Sequence, residues 1–138
     1  MIKQLLLMIL ASLSFSAKAV ELMQFAEVAL AIKQGKSLTF VMNFKECEAH
    51  TPLGDSISSI KPDAFMISSN DKLTASYQHL TLNDPMYSDQ PIMSYGKYDV
   101  YADGHVTVKI TLMNAKDFTK LHELQVRCNL GQGFTIFD

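Results

Sequence analysis

Across residues 21–34 the apolar positions Leu22, Phe25, Ala26, Ala29 and Ile32 recur at threes and fours, the period that lines one face of a helix. Glu21 falls in the first turn and Lys33 and Lys36 at the end, so each charge opposes the helix macrodipole, and Gly35 supplies a stop. The polar face carries few charges, of mixed sign, so packing on a sheet is expected in preference to a membrane surface. After Gly35 the period drops to two. Leu38, Phe40, Met42 and Phe44 alternate with Thr39, Val41 and Asn43, which predicts a core strand over residues 37–45 with its end fixed by Cys47. Residues 48–62, with two prolines, a glycine and several serines, read as a surface loop.

The remainder is β-favouring. Residues 64–68 and 73–82 flank the turn Ser69-Asn70-Asp71-Lys72, and Asn83-Asp84-Pro85 ends the second run. Residues 86–91 form an irregular connection, because proline cannot donate to a ladder. Residues 92–102 and 105–113 flank Asp103-Gly104, a dipeptide that tolerates the positive φ angles of a primed hairpin turn. Val106, Val108, Ile110 and Leu112 give that second strand an apolar face, and Thr107, Lys109 and Thr111 a polar one, the pattern of an antiparallel sheet with one wet side. Residues 114–121 stay open between a short helix capped by Asn114, with Asp117 at its third position, and a loop. From Leu124 the chain alternates up to Cys128, turns on Gly131-Gln132-Gly133 and alternates again to Phe137, a closing hairpin. The sum is an α+β fold. One N-terminal helix packs on a mostly antiparallel sheet of about six to seven strands that curls over the helix or closes partly into a barrel.

The first nineteen residues change where this domain is expected to work. Lys3, an apolar stretch from Leu5 to Phe15 and Ala17-Lys18-Ala19 have the order of a cleaved export signal, with residues 20–138 as one mature domain. The apolar stretch is about eleven residues where about 20 are needed to cross a bilayer, so no stable membrane insertion is expected after cleavage. Lys3 and Lys18 leave with the leader. Twelve basic residues become ten against fourteen acidic ones, and the formal charge moves from −2 to −4. A mildly acidic chain without a basic run is a poor partner for nucleic acid or anionic lipid. The expected location is periplasmic or secreted.

Export also changes the meaning of the two cysteines. In an oxidising compartment Cys47 and Cys128, which allow one intramolecular pairing, are expected to form a disulfide closing a loop of about 80 residues. The alternative, a redox-active or intermolecular thiol, lacks a Cys-x-x-Cys motif or a flanking basic cluster.

Candidate chemistry is sparse. Gly131-x-Gly133 lies between strands with no helix following, so it lacks the aligned N–H groups of a phosphate loop, and no cofactor is expected. Cys47-Glu48-Ala49-His50 looks like half a metal-binding pair, but His79, His105 and His122 offer no second half of comparable spacing, and no metal site is expected. No Gly-x-Ser-x-Gly or Ser-x-x-Lys motif occurs. Of Asp84, Asp89, Asp99 and Asp103, three fall in predicted turns, where aspartate commonly bonds its own backbone. No catalytic residue is assigned. The stretch with binding character is Tyr95-Gly96-Lys97-Tyr98-Asp99-Val100-Tyr101, whose alternation puts Tyr95, Lys97, Asp99 and Tyr101 on one face as aromatic rings with charges between them. The plainer reading is a tyrosine pair decorating the wet face.

The leader, the helix ending in Ile32-Lys33-Gln34-Gly35-Lys36, the strand reaching Phe44-Lys45-Glu46-Cys47 and the closing Cys128-Asn129-Leu130-Gly131-Gln132-Gly133-Phe134 together resemble the VirK family. These are small exported proteins of plant- and animal-associated bacteria, named for a locus within a virulence regulon. The resemblance covers nearly the full chain, and its middle, residues 48–103, is generic. It implies a virulence-associated envelope or secreted protein with the two cysteines as landmarks. No catalytic residues are established for the family, so none carry over. The expected function is a non-enzymatic binding or accessory module acting on a protein or envelope component. The alternatives are a small-ligand carrier with a cavity between helix and sheet, and a small envelope hydrolase.

Overall fold

The computed structural model describes residues 18–51 and 53–138, so the export leader expected at residues 1–19 falls almost wholly outside the described residues. Helix α1 (Phe25–Lys33) starts later than the apolar period implies, because Glu21 is held in a backbone bridge opposite Phe137. Glu27 serves the helix start instead. Its carboxylate accepts hydrogen bonds from the backbone N–H of Met23 at 2.8 Å and of Gln24 at 3.0 Å, where orphan donors need partners. The stop is as expected, with the N–H groups of Gly35 and Lys36 donating to the carbonyls of Ile32 and Ala31. Phe25, Val28 and Ala31 form the buried stripe; Ala26 is exposed, and Val28, absent from the sequence-predicted face, is fully buried.

Among the described residues nine strands follow rather than six or seven: β1 (Thr39–Asn43), β2 (Glu48–Ala49), β3 (Ile57–Ile60), β4 (Ala64–Ser68), β5 (Lys72–Thr81), β6 (Ile92–Tyr101), β7 (His105–Asn114), β8 (Lys120–Leu130) and β9 (Gly133–Phe137). They make one sheet in the order β3-β1-β9-β8-β7-β6-β5-β4, with β2 paired to β8. The sheet curls into a half-barrel around α1. Two of these strands, β2 and β3, lie inside the segment expected to be a loop. β3 exists because β1 offers it a ladder of four residue pairs, from Phe40 opposite Ile60 to Asn43 opposite Ile57. The strand at residues 37–45 is shorter than expected, since Phe44–Glu46 winds into a 3-10 turn that delivers Cys47.

Three turns differ in kind from the expectation. Between β6 and β7 only Gly104 has positive φ (89°), and its N–H donates to Tyr101 O at 2.9 Å, so the link is a three-residue loop with a left-handed glycine rather than a two-residue primed turn. Residues 114–121 contain no helix. Asn114 Oδ1 accepts from Lys116 N–H and Asp117 Oδ1 from Thr119 N–H, local bonds that compete with helix formation and leave a loop. The closing segment is not a hairpin. Asn129 and Gln132 exchange backbone hydrogen bonds, and β9 then touches β8 at two residue pairs in parallel register before running antiparallel along β1 for four pairs.

The disulfide Cys47–Cys128 is present, with Cα atoms 4.6 Å apart and a sequence separation of 81. It occupies a seam. The edge of β8 facing away from β7 pairs with β2 at Val126 and Arg127 and with β9 at Asn129 and Leu130, and Cys128 stands between these two short ladders. Gly133 closes the seam from the other side. Its N–H donates to Glu46 Oε2 at 3.0 Å, and a Cβ there would lie 2.8 Å from Cys47 Sγ and 3.0 Å from Glu46 O, at a φ of 82° that side chains rarely adopt.

The core is the concave side. Val28 of α1, Leu38, Phe40 of β1, Leu73 of β5, Val100 of β6, Val106 and Val108 of β7, and Phe134 and Ile136 of β9 are all essentially excluded from solvent and join helix and sheet in one hydrophobic cluster. Phe40 meets Phe65, Tyr98 and Phe134 edge to face, with ring centroids 6.0, 5.8 and 5.2 Å apart. Burial pushes the Tyr98 hydroxyl up to about 12, with the Tyr77 hydroxyl adding to the shift.

Candidate binding face

Alternation along β6 sends Tyr98 and Val100 into the core and leaves Tyr95, Lys97, Asp99 and Tyr101 on the convex, solvent side. Those four share a face without forming a single aromatic patch. Tyr95 and Tyr101 are six residues apart, about 20 Å along a strand. Tyr95 stands exposed, whereas Tyr101 is stacked on His105 with centroids 4.0 Å apart and planes 11° from parallel, and the Lys72 ammonium lies 5.7 Å from its ring.

The charges between the rings are tightly organised. Asp99 accepts a hydrogen bond from Thr74 Oγ1 at 2.6 Å and pairs with Lys97 at 3.3 Å and Lys72 at 3.6 Å. Partial burial raises its carboxyl, but the Thr74 hydrogen bond and the Lys97 and Lys72 charges outweigh that, and the net direction is down. Because the folded carboxyl then ionises at lower pH than in the unfolded chain, its stabilisation is in place above the unfolded value of about 3.9 and is lost as pH falls through the folded one. Asp99→Asn is therefore expected to lose about 1 kcal/mol at pH 7, after solvent screening of the exposed lysines. At a pH below the carboxylate range the deficit should shrink toward zero. Urea unfolding of both proteins at each pH reads this, and a deficit independent of pH would assign the loss to packing instead.

Two β6 residues of this face continue across the sheet into a concavity of about 540 Å³. One row runs Lys97, Lys109 and Gln125 on β6, β7 and β8; the next runs Asp99, Thr107, Arg127 and then Glu48 on β2. His50, just past β2, joins the rim. Lys109 pairs with Glu123 at 3.1 Å, and Lys109, ahead of Lys120, draws the Glu123 carboxyl below its usual range. Sequence reasoning found Lys97 and Asp99 and missed Lys109, Arg127, Glu48 and Gln125. The pairing of Lys97 with Lys109 was within reach, because both are equally far from Asp103 in the hairpin it centres. Arg127 was not, because a bulge at Leu112/Met113 shifts the β7–β8 register and β2 was read as loop.

The remaining candidates are scattered. Asp84 and Asp103 bond local backbone, accepting from the N–H of Met86 and His105 respectively. His79 lies against Tyr77, and among the described residues no three of His, Cys, Asp and Glu come together as a ligand set. No helix among them is long and apolar enough to cross a membrane.

Residues 21–118 match the sequence profile of the family described as VirK protein, a span that takes in Cys47 and ends before Cys128. The fold superposes on the crystal structure of a VirK family protein from Legionella pneumophila with a TM-score of 0.84 and 38% sequence identity, covering 87% of this chain and 100% of that one. No curated protein matches the sequence. With the profile matching residues 21–118 and the structural match covering 87% of the chain at 38% identity, the chain belongs to the VirK family.

Proposed function

We propose that this chain is an exported, virulence-associated binding or accessory module without enzymatic activity, holding a protein or envelope component in the periplasm or outside the cell. The observation that carries this reading is the convex face of β6–β8, where a concavity of about 540 Å³ floored by charged side chains adjoins the exposed Tyr95. A volume of that order lies within the range of ligand sites, and tyrosine gives contact area with a polar tip. The disulfide supports export, since such bonds persist in oxidising compartments. Commitment of Asp99 and Glu123 to lysine pairs supports a recognition role over general acid-base work. The buried cluster that joins helix and sheet favours this outer concavity over a site under the helix.

The test is affinity capture from the host periplasm by oxidised protein, wild type against the double variant Tyr95→Ser and Tyr101→Ser. Loss of a tyrosine anchor typically weakens binding by about tenfold or more, so the retained partner should largely disappear, while the variant still unfolds cooperatively with the small loss expected from the Tyr101–His105 stack. Equal retention by both proteins would reject this face as the contact surface.

A further inference from the structure

The whole chain is acidic, with a formal charge of −2, yet three cations line one groove: Lys97, Lys109 and Arg127. Their placement is costly in isolation. Lys97 and Lys109 are direct cross-strand neighbours, and like charges so placed repel. Arg127, one strand further and one row away, takes part in no ion pair among the described residues. Two carboxylates share the lining, and a third, Glu123, stands beside it and pairs with Lys109 at 3.1 Å. Asp99 is already held by Lys97, Lys72 and Thr74, and Glu48 is opposite Arg127 on β2 with its side exposed. Thr107 and Gln125 add a hydroxyl and an amide on the same floor.

We propose that this groove binds a phosphate-bearing ligand, with the Arg127 guanidinium forked on the phosphate oxygens and Lys109 and Lys97 neutralising its charge. The proposal rests on the reading of the convex face as a binding surface and names the chemistry that face takes. A planar guanidinium matches two oxygens of a phosphate, and ammonium groups serve it as point charges. Two ammoniums, a guanidinium, a hydroxyl and an amide supply more donors than the two oxygens of a single carboxylate would use, and they suit the three or four oxygens of phosphate. The phosphate can belong to a soluble ester or to a lipid headgroup.

The experiment follows backbone amide resonances of the oxidised protein while inorganic phosphate, then pyrophosphate, replaces chloride at constant ionic strength. Saturable shifts are expected at residues 97, 107, 109, 125 and 127. Arg127→Gln should weaken binding about tenfold or more, with Lys109→Gln as the second groove variant, and Lys33→Gln on the helix should leave it unchanged. Vesicles containing phosphatidic acid, whose headgroup is a phosphomonoester with three free oxygens, are then offered against pure phosphatidylcholine vesicles, whose phosphate is a diester. Sedimentation with the former alone assigns the phosphate to a headgroup, and sedimentation with neither, alongside the phosphate shifts, assigns it to a soluble ester. Unmoved groove amides, an unchanged affinity in both groove variants, or equal weakening by Lys33→Gln would overturn the assignment. If phosphate fails while the tyrosine variant still loses its captured partner, the anion chemistry falls and the binding face stands.

Discussion

Replacing Cys47 and Cys128 together by alanine is expected to lower the unfolding free energy by about 4 to 5 kcal/mol, the chain-entropy value for a loop of this length. The separation of 81 residues sets that figure, and the total stability of a domain this size is only about 5 to 15 kcal/mol. The effect should exceed a purely entropic one in kind as well. The bond stands between the β2 and β9 ladders on β8, two residue pairs each, and neither ladder is long enough to hold that edge alone. Chemical denaturation of the variant and of the oxidised parent gives the difference. The slope with denaturant should also rise, because a chain freed of its cross-link exposes more surface when unfolded. A loss under about 1 kcal/mol would mean that the seam is held by the backbone and the Glu46–Gly133 contact, with the sulfur bond incidental.

The second large effect is expected at Phe40. Truncation to alanine should remove about 3 to 5 kcal/mol, the range for a buried aromatic residue, with each edge-to-face partner contributing beyond simple burial. Its three ring contacts come from β4, β6 and β9, so one side chain bridges distant parts of the strand order. The Phe65 contact matters most for shape. β4 is one end of the sheet and β1 is next to the other, and these rings are where the two ends meet across the core. Phe40→Leu should retain a larger part of the stability, since it refills much of the space. Thermal and urea unfolding with the disulfide intact measure both variants. If the alanine variant loses less than about 1.5 kcal/mol, the surrounding rings have collapsed into the gap and closure does not depend on this residue.

The local signals in the sequence carried further than the long-range ones. The Gly35 stop, the strand pairs flanking residues 69–71 and 102–104, and the inward face of Val106 and Val108 were readable because each is set by neighbours within a few residues. β3 was not, since Ile57-Ser58-Ser59-Ile60 lacks alternation and becomes a strand only through its ladder with β1. The last turn was misread for a related reason. Gly131 and Gly133 do reverse the chain, but β1 competes for β9 and wins the longer ladder. The candidate face was half legible. The four β6 residues follow from alternation alone, whereas the groove requires Arg127 and Glu48, which meet only through the nonlocal pairing of β8 with β2.

The central position of β9 between β1 and β8 has a bearing on biogenesis. The first strand to be synthesised finds one of its two partners in the last, and Cys47 waits for Cys128 across 81 residues of the chain. A nascent product lacking the final twenty residues would hold β1 by its β3 edge alone, with Phe40 missing its Phe134 contact and more open to aggregation. Contacts so distant in sequence place maturation in the slow, millisecond-to-second class of β-rich domains. The protein is thus committed to completing its fold only after its full length has emerged, when an oxidase can seal a junction that until then has one side.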